Sequence, residues 1–120
     1  MSIYLKEQNG VSRLSNDQEL HTLFFGSIIK DGTYNLDYDV NNFKLLYVCV
    51  FIGDNIASNN IVPYMSYSRE SIIGVPVFTN TNYYIQARAI FKGSTMKICS
   101  FARSGFTNGY IGRVYGQTNI

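Results

Sequence analysis

The chain has 120 residues, which allows one domain with a modest hydrophobic core. It contains ten tyrosines, eight phenylalanines and no tryptophan, and enrichment in aromatic residues favours strands over helices. No apolar run approaches the roughly 20 residues that a membrane helix needs, and the first residues lack the basic and apolar regions of a signal peptide. We therefore expect synthesis in a cytoplasm without membrane insertion.

The charges are unevenly distributed along the chain. Residues 1–70 carry eight acidic and five basic groups, a net charge of −3, whereas residues 71–120 carry five basic groups and no acidic one. A basic half attracts anionic partners such as a phosphate-bearing polymer. It also packs favourably beside the acidic half of the same chain or of a symmetry mate, which is the simpler interpretation.

Residues 1–21 are polar and weakly periodic, and we interpret them as a connector or an assembly arm. A short helical turn capped by Ser15 and a small hairpin around Asn9-Gly10 are the two local structures that the segment suggests. Residues 22–120 are expected to form a single β-sandwich domain.

The first strands of that domain are predicted at residues 22–29 and 33–38. The dipeptide Asp31-Gly32 suits a type I′ turn, so these two strands are expected to pair as a hairpin. Residues 43–52 are apolar on both faces, which is typical of a central strand covered on both sides.

A polar loop is predicted over residues 53–60, followed by strands at 61–67 and 72–79. Pro63 and Pro76 indicate edge positions or bulges for these two strands, because proline cannot donate to a sheet ladder.

The clearest pattern lies between Tyr83 and Gly116, where three strands are predicted. From residue 83 to residue 92 apolar side chains alternate with mostly polar ones, as in a half-buried strand. A turn follows at Gly93, residues 96–103 run back, and Asn108-Gly109 leads into a last strand. The predicted fold is all-β, an antiparallel two-sheet sandwich of about eight strands that is jelly-roll-like. A closed barrel is the alternative.

Three segments carry a family resemblance: residues 23–26 (LFFG), 32–36 (GTYNL) and 42–48 (NFKLLYV), together with the ending at 108–116 (NGYIGRVYG). This order of a strand ending in glycine, a Gly-Thr hairpin, a central strand and a Tyr-Ile ending resembles the terminal domains of phage tail-fibre and baseplate proteins. The resemblance covers roughly residues 22–116.

The resemblance implies a β-sandwich head domain, commonly a homotrimer, in the tail of a phage or prophage of a Gram-positive host. Such domains bind host cell-surface polysaccharide or hold neighbouring tail proteins. We therefore expect a non-catalytic tail or baseplate domain that binds host cell-surface carbohydrate as an oligomer. The alternative is a purely structural virion protein that contacts other tail proteins. The expected location is therefore the virion tail, after synthesis in the cytoplasm of the bacterial host. The sequence lacks a long fibrous shaft, so it is either a small stand-alone tail protein or a piece of a longer one.

Catalytic patterns are absent from the sequence. His21 is the sole histidine, and neither a Gly-x-Ser-x-Gly elbow nor a pair of carboxylates at a suitable spacing accompanies it. We therefore expect a non-catalytic protein without a cofactor, in which His21 lies on a strand edge or at the surface.

A metal site and a disulfide each have one sequence feature in their favour and a simpler explanation beside it. Asp37 and Asp39 point to the same face of a predicted strand, where Ca²⁺ would relieve their repulsion, but a solvated turn explains them as well. Cys49 and Cys99 lie far apart in apolar segments and are expected to be two separate thiols, with a disulfide between strands as the alternative.

The sequence patterns argue against nucleic-acid binding. Basic residues alternate with aromatic residues in the C-terminal half, as in proteins that hold single strands. They lie on alternating strand faces, however, and the isoelectric point of about 8.5 is below that of strong nucleic-acid binders.

Tyrosine and arginine side chains are the best candidates for contacts with a sugar, because aromatic rings pack on a sugar while hydroxyl and guanidinium groups form hydrogen bonds. Packing in the core or at a subunit interface is the alternative role for each of them. The candidate ligand-binding residues are Tyr64, Tyr67, Tyr84, Arg88 and Tyr110.

Overall fold

A computed structural model of the chain describes residues 19–75 and 83–118. These residues form eight strands and two short 3-10 turns, the latter at Val40–Asn42 and Tyr64–Ser66. The strands are β1 (Leu20–Ile28), β2 (Gly32–Asn35), β3 (Leu45–Ile52), β4 (Asn55–Pro63), β5 (Glu70–Val75), β6 (Tyr84–Lys92), β7 (Thr95–Ser104) and β8 (Gly109–Gln117).

The described strands pair into two four-stranded sheets. Sheet A has the order β1-β8-β3-β4 and sheet B the order β2-β7-β6-β5, and every pairing is antiparallel. The predicted all-β, two-sheet sandwich is therefore confirmed. The pairs β1–β8 and β2–β7 are nested as in a jelly roll, whereas β3–β4 and β5–β6–β7 are local hairpins.

The hydrophobic core lies between the two sheets. Each strand contributes alternate side chains to it, because successive side chains of a strand point to opposite faces. Sheet A contributes Leu23, Ile28, Leu46, Val48, Val50, Val62, Ile111 and Val114, and sheet B contributes Ile73, Val75, Ile85, Ala87, Ala89, Phe91, Met96 and Ile98. Leu36, Val40 and Phe43, from the connection between β2 and β3, close one end.

Glycine in β8 makes room for this core. A Cβ atom at Gly116 would lie 2.5 Å from the Phe43 ring, closer than packed carbon atoms approach each other. Glycine therefore lets the Phe43 ring lie directly on the backbone of β8.

The three strands predicted between Tyr83 and Gly116 are confirmed. Strands β6 and β7 form a hairpin whose turn contains Gly93 at a φ of +59°, a left-handed conformation that glycine adopts without strain. Strand β8 leaves this hairpin and lies in sheet A between β1 and β3.

The predicted hairpin at Asp31-Gly32 is wrong. Strand β1 pairs with β8 and β2 pairs with β7, so the chain between β1 and β2 crosses from one sheet to the other. An Asp-Gly signal indicates where a chain turns, but it does not determine which strand is the partner. The second strand also ends earlier than predicted, at Asn35.

The predicted loop at residues 53–60 is also wrong, since only Gly53 and Asp54 turn the chain and β4 begins at Asn55. Backbone pairing with β3 holds this polar segment as a strand, because strand propensity is easily overridden by context. Pro63 ends β4, which is an edge strand of sheet A as expected, and Tyr64–Ser66 is a 3-10 turn rather than part of a strand.

Several expectations fall outside the described residues: residues 1–18 of the arm predicted at 1–21, with the Asn9-Gly10 hairpin and the Ser15 cap, and residues 76–79 of the strand predicted at 72–79, with Pro76. The predicted domain boundary at residue 22 lies within β1, which begins at Leu20.

Candidate functional site

The two sheets have outer faces of different chemistry. The outer face of sheet B is mostly polar and includes an ion pair in which Arg88 Nη1 lies 3.6 Å from Glu70 Oε1. Lys92 and Lys97 are exposed on the same sheet. Such a face is typical of a surface in contact with water, and an exposed ion pair of this kind stabilises a protein little.

The outer face of sheet A is aromatic and aliphatic, and we call it the aromatic face. Its large apolar side chains are exposed to an unusual degree: Leu20 61%, Phe25 73%, Ile56 57% and Ile61 61%. Strand register and side-chain alternation assign to this face Leu20, Phe25, Leu45, Tyr47, Cys49, Phe51, Ile56, Asn59, Ile61, Tyr110, Arg113, Tyr115 and Gln117.

Arg113 lies in the middle of the aromatic face. Its guanidinium carbon is 4.8 Å from the centre of the Phe25 ring and 5.4 Å from that of Phe51, which is within the range of cation–π attraction. Its Nη1 donates a hydrogen bond of 3.2 Å to the Tyr115 hydroxyl oxygen. Among the described residues it has no carboxylate partner. The guanidinium is therefore positioned by rings and a hydroxyl rather than by an acid.

A stacked aromatic pair borders Arg113. The rings of Phe51 and Tyr110 are 5.5 Å apart and 8° from parallel, and the Tyr110 hydroxyl donates a hydrogen bond of 2.8 Å to the carbonyl oxygen of Gly53. A Cβ atom at Gly112 would lie 2.6 Å from the Phe51 ring. Glycine in the β8 ending is thus what allows Phe51 to lie flat on the sheet.

An open groove of about 370 Å³ runs along one side of the aromatic face. Tyrosine rings, aliphatic side chains and planar polar groups line it together. The Tyr47 hydroxyl donates a hydrogen bond of 2.7 Å to Gln117 Oε1, which fixes the orientation of both side chains. The lining residues are Glu19, Leu20, Tyr47, Cys49, Ile56, Asn59, Tyr115 and Gln117.

Cys49 lies at the base of this groove. Burial raises the pKa of its thiol, and the positive charge of Arg113 opposes that shift only in part. The thiol is therefore protonated at neutral pH and is a poor nucleophile. Its Sγ donates to Asn59 Oδ1 at 3.5 Å. Cys49 in sheet A and Cys99 in sheet B are both free, which confirms the prediction of two separate thiols.

The candidate residues chosen from the sequence lie in three places. Tyr64 and Tyr67 meet at one end of the sandwich, with ring centres 5.3 Å apart. Tyr84 and Arg88 are on β6 in the outer face of sheet B, and Tyr110 is on the aromatic face. The fold therefore brings Tyr64 and Tyr67 into contact, but it does not combine the five residues in one site.

Sequence analysis missed the aromatic face because its members come from four strands. The available signal was the segment 43–52, which is apolar on both faces. We interpreted that pattern as burial on both sides, and β3 is indeed central. Its outward side chains, however, face a surface that no other described element covers.

The structure also places the histidine and aspartates that the sequence singled out. His21, on the edge strand β1, lies 3.2 Å from Glu19 Oε1 and packs against the rings of Tyr38 and Phe43. Asp39 accepts a hydrogen bond of 2.8 Å from the backbone N–H of Asn41, so it caps a 3-10 turn. Among residues 19–75 and 83–118 there is no group of three or more potential metal ligands.

The basic residues of the C-terminal half do not form one stripe. Arg88, Lys92 and Lys97 lie on sheet B, and Arg113 lies on the aromatic face. Arg103 Nη1 donates a hydrogen bond of 2.6 Å to the carbonyl oxygen of Gly109. Four of the five therefore lie on strands of sheet B, and Arg113 lies on sheet A.

No protein-family model matches the chain, and no curated protein matches it significantly. No helix within the described ranges is long and apolar enough to cross a membrane.

Proposed function

We propose that this protein is a non-catalytic structural domain of a phage tail or baseplate, and that it assembles through the aromatic face. The observation that carries the proposal is the contrast between the two outer faces. Sheet B presents charged groups to water, whereas sheet A exposes Leu20, Phe25, Ile56 and Ile61 around a single arginine.

The composition of the aromatic face favours a protein partner. Buried centres of protein interfaces are rich in tyrosine, phenylalanine and arginine and poor in lysine, aspartate and glutamate. Large exposed apolar patches on soluble proteins commonly mark such interfaces. The sequence resemblance to terminal domains of tail-fibre and baseplate proteins supports a location in the virion tail and an oligomeric state, for which the homotrimer is the expected form.

A matched pair of substitutions in the phage or prophage that encodes the chain tests this function. Phe25→Asp places a charge on the aromatic face, and we expect particles that lack this protein, measured by immunoblotting of purified particles. Ile72→Asp, on the outer face of sheet B at 65% exposure, is the control and should be incorporated normally. Absence of the wild-type protein from purified particles, or normal incorporation of Phe25→Asp, would contradict the proposal.

A second candidate function is binding of host cell-surface polysaccharide in the groove. The observation in its favour is the combination of the Tyr47 and Tyr115 rings with the planar amides of Asn59 and Gln117. Rings of this kind pack on sugars, while amides hydrogen-bond to their hydroxyl groups.

Binding of purified protein to host cell-wall polysaccharide tests this second function. Loss of one hydrogen bond is worth about 1 kcal/mol, so Asn59→Ala should weaken binding about fivefold. Tyr84→Ala on sheet B should leave binding unchanged. If Tyr84→Ala or Arg88→Ala abolishes binding while Asn59→Ala does not, the sugar binds to the outer face of sheet B around Tyr84 and Arg88, and not in the groove. No binding by the wild-type oligomer would exclude the receptor role.

A further inference from the structure

We propose that the occupant of the aromatic face is a second copy of this chain, packed sheet against sheet. This inference rests on the proposed function, because it identifies the partner at the same surface. Four features of the face carry it: its size, its shape, its charge and the lack of a better complement elsewhere on the described chain.

The size of the face suits self-association. Four strands about 4.8 Å apart, each with about eight residues rising about 3.3 Å, cover roughly 500 Å². Two copies would therefore bury about 1,000 Å² in total, which is the lower limit expected for a specific interface. The aromatic side chains project from the sheet, so the accessible area of the face is larger than this flat estimate.

The shape of the face suits another sheet. Two sheets pack face to face when apolar side chains of both interdigitate in a layer about 10 Å thick. Within the described residues, the outer face of sheet B is less suited to such a layer, because the charged groups of Arg88, Glu70 and Lys97 would lose their contact with water. The aromatic face is thus its own best complement on this chain.

The charges of the face permit the contact. Arg113 lies near its centre, over the Phe25 and Phe51 rings, and Glu19 lies at its rim beside the groove. The Arg113 guanidinium is held by ring faces rather than by a carboxylate, so it keeps these cation–π contacts when the face is covered. Arginine flanked by aromatic rings is also a common composition for residues that dominate binding energy.

Two isoleucines provide a matched test with the full-length protein. Ile61 is on β4, the edge strand of sheet A, and is 61% exposed; Ile72 is on β5, the edge strand of sheet B, and is 65% exposed. Replacing either isoleucine by aspartate has the same effect on strand propensity. A difference in association between the two variants therefore identifies the face through which the copies associate. Circular dichroism and thermal unfolding of both variants check that the sandwich is folded.

Analytical ultracentrifugation gives the decisive measurement. A complex with a Kd of about 1 µM is nearly fully formed at about 100 µM protein. The wild type should therefore sediment as a dimer at that concentration, because a face that packs on a second copy of itself closes as a two-fold pair. Ile61→Asp and Phe25→Asp should weaken association at least tenfold, as substitutions at energetically dominant positions do. Ile72→Asp should associate like the wild type.

The outcomes separate this inference from the proposed function. A wild type that is monomeric at about 100 µM, or equal weakening by Ile61→Asp and Ile72→Asp, overturns self-association through this face. If the wild type is monomeric but Phe25→Asp is still excluded from phage particles, the face binds a different tail protein and only the second copy is rejected. If Phe25→Asp alters neither association nor incorporation, both proposals fail.

Discussion

Tyr67 is held in its protonated form by its surroundings. Its hydroxyl donates a hydrogen bond of 3.0 Å to the carbonyl oxygen of Phe43. Burial, and to a smaller extent the neighbouring Tyr64, raises the pKa of Tyr67 to about 12. Since an unfolded chain binds the tyrosine proton with a pKa of about 10, the folded state retains the proton at a pH where the unfolded state loses it.

The raised pKa of Tyr67 predicts a loss of stability at alkaline pH. Its stabilising contribution is complete below pH 10 and is lost as the pH rises from about 10 to about 12. Urea unfolding at several pH values should therefore show a falling free energy of unfolding across this range.

Tyr67→Phe removes the ionising group and one hydrogen bond. We expect a cost of about 1 kcal/mol at neutral pH and a flatter pH dependence above pH 10. Tyr84→Phe, on the outer face of sheet B, is the control and should keep the slope of the wild type. An unchanged slope in Tyr67→Phe would show that other groups cause the alkaline loss.

At the scale of elements, side chains connect the edges of the two sheets. Ser58 in β4 donates a hydrogen bond of 2.7 Å to the carbonyl oxygen of Gly74 in β5. Asn60 accepts one of 3.2 Å from the Gly74 N–H and donates one of 3.2 Å to the carbonyl oxygen of Val48. A Cβ atom at residue 74 would overlap the carbonyl oxygen of Ile85 in β6, so glycine permits the close approach of β5 and β6 at this point.

Asn60→Ala should destabilise the sandwich by about 1–3 kcal/mol, because it leaves half-buried backbone groups without partners. Asn59→Ala is the matched control on the same strand: its side chain faces outward, and its contact is a weak one with the Cys49 thiol. Its expected cost is below about 0.5 kcal/mol. Equal costs for the two variants in urea unfolding would argue against a role for the Ser58–Asn60 contacts.

These contacts also show what the sequence could and could not predict. Strand β6 was predictable because Ile85, Ala87, Ala89 and Phe91 alternate with polar residues, and a pattern of period two is a local property. Strand β4 was not predictable, because serine and asparagine at positions 58 and 60 are typical of loops. Their hydrogen-bond partner, Gly74, is distant in the sequence. The partner of a strand depends on the whole topology, which is why the turn at Asp31 was located correctly but assigned to the wrong pairing.

The candidate site was less predictable than the fold. Tyr110 was selected from the sequence, yet its neighbours on the aromatic face come from β1, β3 and β4 as well as from β8. Phe25 and Arg113 are adjacent only because β1 pairs with β8. A surface assembled from distant segments leaves no local motif, whereas a hairpin does.

For the whole molecule, the central position of β3 makes Cys49 a probe of global unfolding. The Cys49 side chain is 2% exposed, and β3 is hydrogen-bonded to a strand on each side. Groups in such positions become accessible when the domain opens as a unit, whereas groups near edges open locally.

Alkylation of Cys49 in a Cys99→Ser variant should therefore be slow in buffer. Its rate should rise with urea in parallel with the unfolded fraction. In the reciprocal variant, Cys49→Ser, Cys99 should react faster because it is partly exposed. Rapid reaction of Cys49 without urea would indicate local opening of the groove instead.

The pairing of the first and last strands has a mechanical consequence. Glu19 and Thr118 exchange hydrogen bonds, with the Thr118 N–H 2.9 Å from the Glu19 carbonyl oxygen and the Glu19 N–H 3.2 Å from Thr118 Oγ1. Because β1 and β8 are antiparallel neighbours, a force applied between these two residues acts across the ladder and separates its hydrogen bonds one after another. A domain loaded in this way resists tension weakly, because its hydrogen bonds break one pair at a time.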